Sequence, residues 1–85
     1  MFTTGQIVYS KCGRDQGRAF VVFSSDEAYA YLVDGDLRPV AKPKKKKAKH
    51  IQPTGYVDAG IQNKIKNNLN LQDAEVRKVL TAYTG

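Results

Sequence analysis

The chain has 85 residues, of which 41% are hydrophobic, and its net charge is +6 at neutral pH. This length allows one small domain with an appendage, near the lower size limit for a stable core. The basic excess indicates an anionic partner, either nucleic acid or an acidic membrane surface. The longest apolar run, residues 28–33, is too short to span a bilayer. The single cysteine, Cys12, excludes an internal disulfide, and we expect a cytoplasmic protein.

The first third of the chain predicts two β-strands and the turn between them. Residues 6–9 alternate, with Ile7 and Tyr9 on one face and Val8 on the other. Residues 11–17, K-C-G-R-D-Q-G, contain two glycines and an aspartate, which predicts a turn with positive φ at glycine. Residues 18–23 are apolar on both faces after Arg18 and therefore predict a central, buried strand.

Two further strands are predicted before the chain becomes strongly basic. Residues 28–33 form the third, with Tyr29 and Tyr31 on one face. Residues 34–36, D-G-D, predict a tight turn between antiparallel strands. Residues 37–40 form a short fourth strand, in which Pro39 suits an edge, and Ile51 could add a fifth. Such a series predicts a small all-β SH3-like barrel, with an open meander as the alternative.

The segment Arg38–His50, R-P-V-A-K-P-K-K-K-K-A-K-H, concentrates the charge. It contains seven cations and no acid, whereas residues 1–37 contain three cations and five acids, and residues 51–85 four cations and three acids. Adjacent like charges repel, and the two prolines favour extended backbone. We predict an extended basic arm whose lysines support no core and which becomes ordered on a nucleic-acid backbone. The alternative is a solvated linker that only keeps the protein soluble.

After residues 52–55, Q-P-T-G, the apolar period changes from two to about 3.6 and predicts two short amphipathic helices. Asp58 is the expected N-cap of the first helix, which should end near Asn67. Asp73 and Glu75 lie in the first turn of the second helix and Lys78 is expected near its end, which complements the helix dipole. The apolar faces are expected to be formed by Ile61, Ile65 and Leu69 in the first helix, and by Val76, Val79, Leu80 and Tyr83 in the second.

The predicted organisation is therefore a barrel over residues 1–52, which includes the basic arm 38–50, and a C-terminal α-helical hairpin over residues 56–85. Neither helix is long enough to be stable alone. We expect their apolar faces to pack on each other or on the barrel.

No catalytic or metal-binding pattern is recognisable in the sequence. His50 is the only histidine, and it lies among lysines that disfavour its protonation. A pair formed by His50 and Cys12 has no third member to complete a catalytic arrangement. One cysteine and one histidine do not form a zinc site, and no metal-ligand spacing is present. We therefore expect a protein that is not an enzyme and that has no metal and no cofactor.

Basic residues near the turns predict a binding surface instead. Guanidinium groups pair bidentately with phosphate, which makes the arginines strong candidates. An acidic membrane is a weaker alternative partner, because the basic run does not form an amphipathic helix. The predicted RNA-binding residues are the basic residues of the first turn and of the arm: Lys11, Arg14, Arg18, Arg38, Lys42, Lys44, Lys45, Lys46, Lys47, Lys49 and His50.

The order of these motifs resembles a known family. Residues 5–22, G-Q-I-V-Y-S-K-C-G-R-D-Q-G-R-A-F-V-V, are similar to the KOW motif. The continuation D-G-D-L-R-P-V and then K-P-K-K-K-K-A-K-H resembles the bacterial KOW-domain RNA-binding proteins, relatives of the archaeal and eukaryotic large-subunit ribosomal protein fourteen-e. The resemblance covers about residues 5–52.

The resemblance implies an SH3-like KOW barrel that binds RNA, with ribosomal RNA of the large subunit as the expected partner. By position it points to the lysines and to Arg14, Asp15, Gly17, Arg38 and Pro39, with Asp15 in a structural role that bonds turn amides. Gln72 departs from the pattern, because a helix-capping Ser or Thr is expected there. We expect a ribosome-associated monomer that acts in translation. The alternative function is a protein-interaction module that contacts the transcription or translation machinery.

Overall fold

Five antiparallel strands and two helices make up the fold, and the computed structural model describes residues 2–85. One turn of 3₁₀ helix, Ala48–His50, links the last two strands. The elements in chain order are β1 (Gln6–Ser10), β2 (Ala19–Ser25), β3 (Tyr29–Val33), β4 (Lys44–Lys47), β5 (Ile51–Val57), α1 (Ala59–Lys66) and α2 (Asp73–Thr84).

The strands form one sheet in the order β4-β3-β2-β1-β5. The prediction of a central, buried second strand is confirmed, since Phe20, Val21 and Val22 of β2 are buried. The two edge strands, β4 and β5, are consecutive in the chain and separated only by the 3₁₀ turn. This arrangement is consistent with a small β-barrel-like fold, as expected from the succession of short strands.

Each face of the sheet has its own apolar core, because the central strands are apolar at successive positions. One core contains Val8, Phe20 and Leu32, together with Ile51. The other contains Ile7, Val21 and Val33, and the helices cover it. The alternation predicted for residues 6–9 is confirmed by the positions of Ile7 and Val8 in different cores.

Both helices pack on the sheet through short apolar stripes, which confirms one of the two expected arrangements. Ile61, Leu71, Val76 and Leu80 are buried in the core that α1 and α2 share with the sheet. The expectation for Leu69 is wrong: it follows the end of α1 and its side chain is 52% exposed. Leu71, two residues later, takes the buried position because Asn68 turns the chain with a φ of 54°.

The helix boundaries follow from their caps. The Asp58 carboxylate accepts a hydrogen bond from the Ile61 N–H at 2.9 Å, which confirms Asp58 as the N-cap of α1. The N–H of Gln72 donates to the Glu75 carboxylate at 3.2 Å, so α2 begins without a Ser or Thr cap. Lys78 lies in the middle of α2 rather than near its end, since the helix continues to Thr84. Within residues 2–85, neither helix is long and apolar enough to cross a membrane.

The two glycine turns are confirmed in backbone conformation but differ in surroundings. Gly17 has a φ of +85° and Gly35 a φ of +76°. A Cβ at Gly17 would meet no atom within 4 Å, whereas a Cβ at Gly35 would lie 2.4 Å from the carbonyl oxygen of Asp73. The Gly35 turn is therefore packed against the start of α2, and the Gly17 turn is open.

The prediction that the extended basic arm becomes ordered only on a nucleic-acid backbone is wrong for Lys44–Lys47, which are already part of the sheet. Lys44–Lys47 form β4, which pairs antiparallel with β3, with Lys46 opposite Ala30 and Lys44 opposite Leu32. Cross-strand partners share a face of the sheet, so Lys44 and Lys46 lie on the face whose core contains Leu32 and Ala30. Lys46 is only 9% exposed. The expectation that the lysines of the run support no core fails for Lys44 and Lys46, because the Asp15 carboxylate in the β1–β2 turn neutralises both of them.

Two other boundaries also differ from the prediction. Residues 37–40 are not a strand; they belong to a loop over residues 34–43, in which the Val40 N–H donates to the Asp73 carboxylate at 2.7 Å. A fifth strand was expected only at Ile51, whereas β5 continues from Ile51 to Val57, and Pro53 lies opposite Val8. An edge strand tolerates proline because only one side of its backbone is paired within the sheet.

Candidate nucleic-acid interface

Asp15 is the centre of a cluster of polar side chains between the β1–β2 turn and β4. Its carboxylate accepts hydrogen bonds from Lys44 Nζ at 2.7 Å and from Lys46 Nζ at 3.1 Å. The hydroxyl of Ser10 lies 2.7 Å from the same carboxylate. Lys46 Nζ also donates to the carbonyl oxygen of Cys12 at 3.0 Å. Asp15 is structural, as expected, but its partners are lysine and serine side chains rather than turn amides.

The protonation of Asp15 reflects this set of donors. Burial raises the pKa of its carboxyl, but hydrogen bonds from Lys44, Ser10 and Lys46 outweigh that effect and hold the pKa well below its usual value of 3.8. Its side chain is 12% exposed, so water screens the two ion pairs only in part. The cluster therefore ties β4 to the β1–β2 turn with a charge-neutralising contact.

Asp34 organises the neighbouring loop in a similar way. Its Oδ1 accepts the backbone N–H groups of Asp36 at 2.9 Å and Arg38 at 2.8 Å. Its Oδ2 pairs with Arg18 Nη2 at 3.0 Å. Arg77 of α2 donates to the Gly35 carbonyl at 2.5 Å. The side chain of Asp34 is buried, and these contacts fix the loop that carries Arg38.

These two fixed turns form the walls of an open cleft of about 350 Å³, which we name the arginine cleft. Its lining combines a cationic rim with an apolar surface from the exposed Leu37, and the buried Phe20 also borders it. The two carboxylates in it, Asp15 and Asp34, are already engaged by donors. The cations that line it are Arg14, Arg18, Arg38 and Lys44.

Arg14 and Arg38 differ from the other cations of the cleft. Within residues 2–85 neither forms a salt bridge or a side-chain hydrogen bond, whereas Arg18 pairs with Asp34 and Lys44 with Asp15. Their guanidinium groups therefore keep all their donors for a ligand. The chemistry that fits such a cleft is recognition of a phosphate group, since guanidinium binds phosphate with two parallel hydrogen bonds.

The remaining predicted residues do not line the arginine cleft. Lys45 and Lys47 lie opposite Tyr31 and Tyr29 across the β3–β4 ladder, and both lysines are exposed. The Lys45 ammonium is 4.3 Å from the centroid of the Tyr29 ring, a cation–π contact. Lys47, with Lys49, lines a separate shallow cleft of about 320 Å³ beside Tyr29.

Lys11, Lys42 and His50 also lie outside the arginine cleft. Lys11 and Lys42 are exposed, and the Lys11 N–H donates to the His50 carbonyl at 2.8 Å. Burial, together with the charges of Lys49 and the other nearby lysines, lowers the pKa of His50 below its usual value. This side chain is therefore neutral at pH 7, in line with the sequence expectation. Among residues 2–85 no hydrogen bond joins it to Cys12.

Sequence reasoning missed the residues that hold the site together. Ser10 and Asp34 were not singled out as site residues, because each looks like an ordinary strand-end or turn residue. For Asp34, the motif D-G-D before Arg38 could have indicated this role, since an Asp side chain commonly accepts hydrogen bonds from backbone N–H groups a few residues later in the chain. Leu37 was assigned to a strand, and nothing in its local pattern marks it as the apolar rim of a cleft.

No cluster of three or more His, Cys, Asp or Glu side chains suited to a metal ion is found in the described part of the chain. The sequence matches no protein-family model and has no significant match among curated proteins.

Proposed function

We propose that this chain is a non-enzymatic RNA-binding module and that its sheet is an SH3-like KOW barrel. The observation that carries the proposal is the arginine cleft, in which Arg14 and Arg38 present unpaired guanidinium groups beside an apolar surface. The motif resemblance, G-R-D-Q-G followed by D-G-D-L-R-P, supports it, because these two motifs are the turns that form the cleft walls.

Two features suit the cleft to one phosphate of an extended polyanion rather than to a small isolated anion. It is open and lies beside a strand of lysines, so an extended polyanion can continue past it. The carboxylates that would repel an anion are screened: Asp15 by Lys44 and Lys46, and Asp34 by Arg18. The cleft therefore remains cationic although it contains two acids.

The exposed cations outside the cleft have a second role in this proposal. Lys45 and Lys47 on β4, with Lys42 and Lys49 on either side, form no ion pair with any described residue. Such charges attract RNA over a distance of about one Debye length and release counterions on binding. The cleft orients the RNA, and the lysines increase the rate and strength of association.

The expected partner is ribosomal RNA of the large subunit, in the cytoplasm, with a single chain as the binding unit. A fixed cleft and a separate lysine surface can engage a structured RNA together, and the second contact is then intramolecular. A flexible polyanion gains less from the cleft, because it must itself become ordered.

The test is a fluorescence-anisotropy titration of the protein with a large-subunit rRNA fragment at several salt concentrations. If about four to six phosphates are neutralised, the logarithm of the binding constant falls with the logarithm of salt with a slope of about −3 to −5. A flat salt response, or no binding, refutes the proposal. A sucrose gradient of cell lysate identifies the cellular partner, and the proposal requires that the protein migrate with the large ribosomal subunit.

A second candidate function is contact with a protein of the transcription or translation machinery. The observation that favours it is a groove of about 410 Å³ between β5 and α2, lined by Tyr56, Val79 and Tyr83. Tyr56 is 44% exposed and Tyr83 is 40% exposed, and the centroids of their rings lie 5.4 Å apart. Migration with RNA polymerase in the gradient, unaffected by Arg14→Ala and Arg38→Ala, would favour this second function.

A further inference from the structure

A second cleft lies on the other side of the Arg18–Asp34 ion pair. Its volume is about 470 Å³, and Arg18 and Asp34 line both this cleft and the arginine cleft. The two clefts are therefore adjacent and share one wall. Residues of β1, the 34–36 turn and α2 surround the second cleft.

We propose that this second cleft binds an unpaired ribonucleoside adjoining the phosphate held in the arginine cleft, and that Asp36 recognises its ribose 2′-hydroxyl. The inference rests on the proposed function and specifies which part of the RNA the protein reads. It makes Asp36 a residue that distinguishes RNA from DNA.

The lining of the second cleft has the chemical parts of a nucleoside site. The half-buried Tyr9 supplies an aromatic side chain on which a base can stack, whereas Leu80 is only 8% exposed and contributes little surface. Thr81 and Thr84 add hydroxyl groups at the α2 side. Arg18, shared with the arginine cleft, lies where the two clefts meet, so a phosphate bound there would adjoin a nucleoside in the second cleft.

Asp36 is the more available carboxylate of the second cleft, because Asp34 already accepts hydrogen bonds from Arg18 and from two backbone N–H groups. The Asp36 side chain is exposed and accepts no hydrogen bond from any residue in the described range 2–85. The backbone that carries it is nevertheless fixed, since the Asp36 N–H donates to the Asp34 carboxylate and the preceding Gly35 carbonyl accepts from Arg77. A carboxylate at this place can accept a hydrogen bond from a ribose hydroxyl, and the 2′-hydroxyl is the group that DNA lacks.

The direction in which the RNA and DNA affinities change when Asp36 is replaced distinguishes recognition of the ribose from simple charge repulsion. An acid beside a phosphate site weakens binding of every nucleic acid to a similar extent unless the ligand donates a hydrogen bond to it. Removing a repulsive acid therefore tightens RNA and DNA alike. Removing an acceptor used by the 2′-hydroxyl weakens RNA relative to DNA.

The experiment compares three fluorescein-labelled, unpaired hexamers of one sequence, with ribose, 2′-fluororibose or deoxyribose sugars, by anisotropy at fixed salt. The 2′-fluoro sugar keeps the RNA-like pucker but has no donor. We expect the protein to bind the ribose hexamer about tenfold more tightly than the 2′-fluoro hexamer, the scale of a hydrogen bond to a charged group. Asp36→Ala should abolish this preference, whereas Asp36→Asn, which keeps an acceptor, should retain part of it.

The matched control is Glu27→Ala, which removes an exposed acid from the β2–β3 turn, outside both clefts, and should leave the preference unchanged. Equal binding of the ribose and 2′-fluoro hexamers, or uniform tightening of all three by Asp36→Ala, overturns the inference. Absence of hexamer binding where the rRNA fragment binds also overturns it, because the ligand is then not an unpaired nucleotide. If the rRNA fragment binds through Arg14 and Arg38 without any 2′-hydroxyl preference, the proposed function stands and only this inference fails.

Discussion

The two faces of β4 present the same side chain to different surroundings. Lys44 and Lys46 point to the face of Leu32 and Ala30, where the Asp15 carboxylate binds both ammonium groups. Lys45 and Lys47 point to the opposite face, beside Tyr31 and Tyr29, and are exposed. In this run of four identical residues, alternation along the strand decides which charges support the fold and which remain available to a ligand.

The largest expected effect on stability comes from removing the Asp15 carboxylate, which Lys44 and Lys46 share. Asp15→Ala leaves Lys46 nearly buried with no carboxylate partner, which should lower the free energy of unfolding by about 3 kcal/mol. That is a large share of the stability of a domain this small. Urea denaturation followed by circular dichroism measures it, with Glu27→Ala as the exposed-acid control. A loss below about 0.5 kcal/mol would mean that the cluster does not hold β4.

A direct comparison of the two faces uses two double variants with the same change in charge. Lys44→Ser with Lys46→Ser leaves Asp15 with only Ser10, and we expect it to lower the free energy of unfolding by about 2 kcal/mol. Lys45→Ser with Lys47→Ser removes exposed charges and should change it by no more than about 0.5 kcal/mol. Thermal melts of the two variants side by side provide the measurement. Equal melting temperatures would show that the faces are equivalent.

The two glycine turns allow a similar comparison, between a turn that is packed against a helix at Gly35 and a turn that is open at Gly17. Gly35→Ala strains a positive φ and also forces a Cβ to 2.4 Å from the Asp73 carbonyl, so we expect a loss of about 2 kcal/mol or more. Gly17→Ala strains φ alone, with no atom nearby, and should cost about 1 kcal/mol. Denaturant melts of the single variants test the order. A Gly17→Ala variant that is the less stable of the two would contradict the packing of the 34–36 turn on α2.

The free energy of unfolding at acidic pH should depend on the contacts of Asp15 with Lys44, Lys46 and Ser10. Because the pKa of Asp15 is lower in the folded chain than in the unfolded one, its contribution is present above the unfolded value near 3.8 and is lost as pH falls through the folded value. The difference in unfolding free energy between the protein and Asp15→Asn should therefore shrink as pH falls below about 4, by about 1 kcal/mol or more. Urea melts of both proteins at pH 7, 4 and 2.5 measure it. A constant difference across this range would contradict the assigned role of the carboxylate.

Local patterns were sufficient for much of this fold and misleading at β4. The alternation of Ile7 and Val8, the positive φ of Gly17 and the Asp58 cap are local signals, and each was read correctly, whereas D-G-D begins a loop to residue 43 rather than a tight turn between strands. The pairing of Lys44–Lys47 depends on Asp15, 29 residues before Lys44, so nothing within the lysine run indicates a strand. Four adjacent lysines predict a solvated segment when they are read alone.

The same limit applies to the site. Arg14 and Arg38 were recognised as candidates from their residue type, but their meeting at one cleft depends on two separate turns, each fixed by a buried aspartate. The fifth strand was expected only at Ile51 because Pro53 and Gly55 are turn residues in most contexts, and the position of β5 at the sheet edge makes proline acceptable there. Tertiary contacts, rather than local propensity, decided each of these cases.

The central claim is that the position of the unpaired arginines, and not the net charge, carries RNA binding. It is tested most directly by comparing the double variant Arg14→Ala, Arg38→Ala with the double variant Lys66→Ala, Lys78→Ala, which removes the same charge from exposed helix positions outside the cleft. Both are titrated with the large-subunit rRNA fragment at one salt concentration, after circular dichroism has shown them folded. We predict that the arginine variant loses more than about tenfold in affinity and the lysine variant less than about threefold, since each guanidinium–phosphate contact is worth roughly 1 kcal/mol or more. Equal losses in the two variants would show that the protein binds RNA through its overall charge, and the arginine cleft would then have no role in recognition.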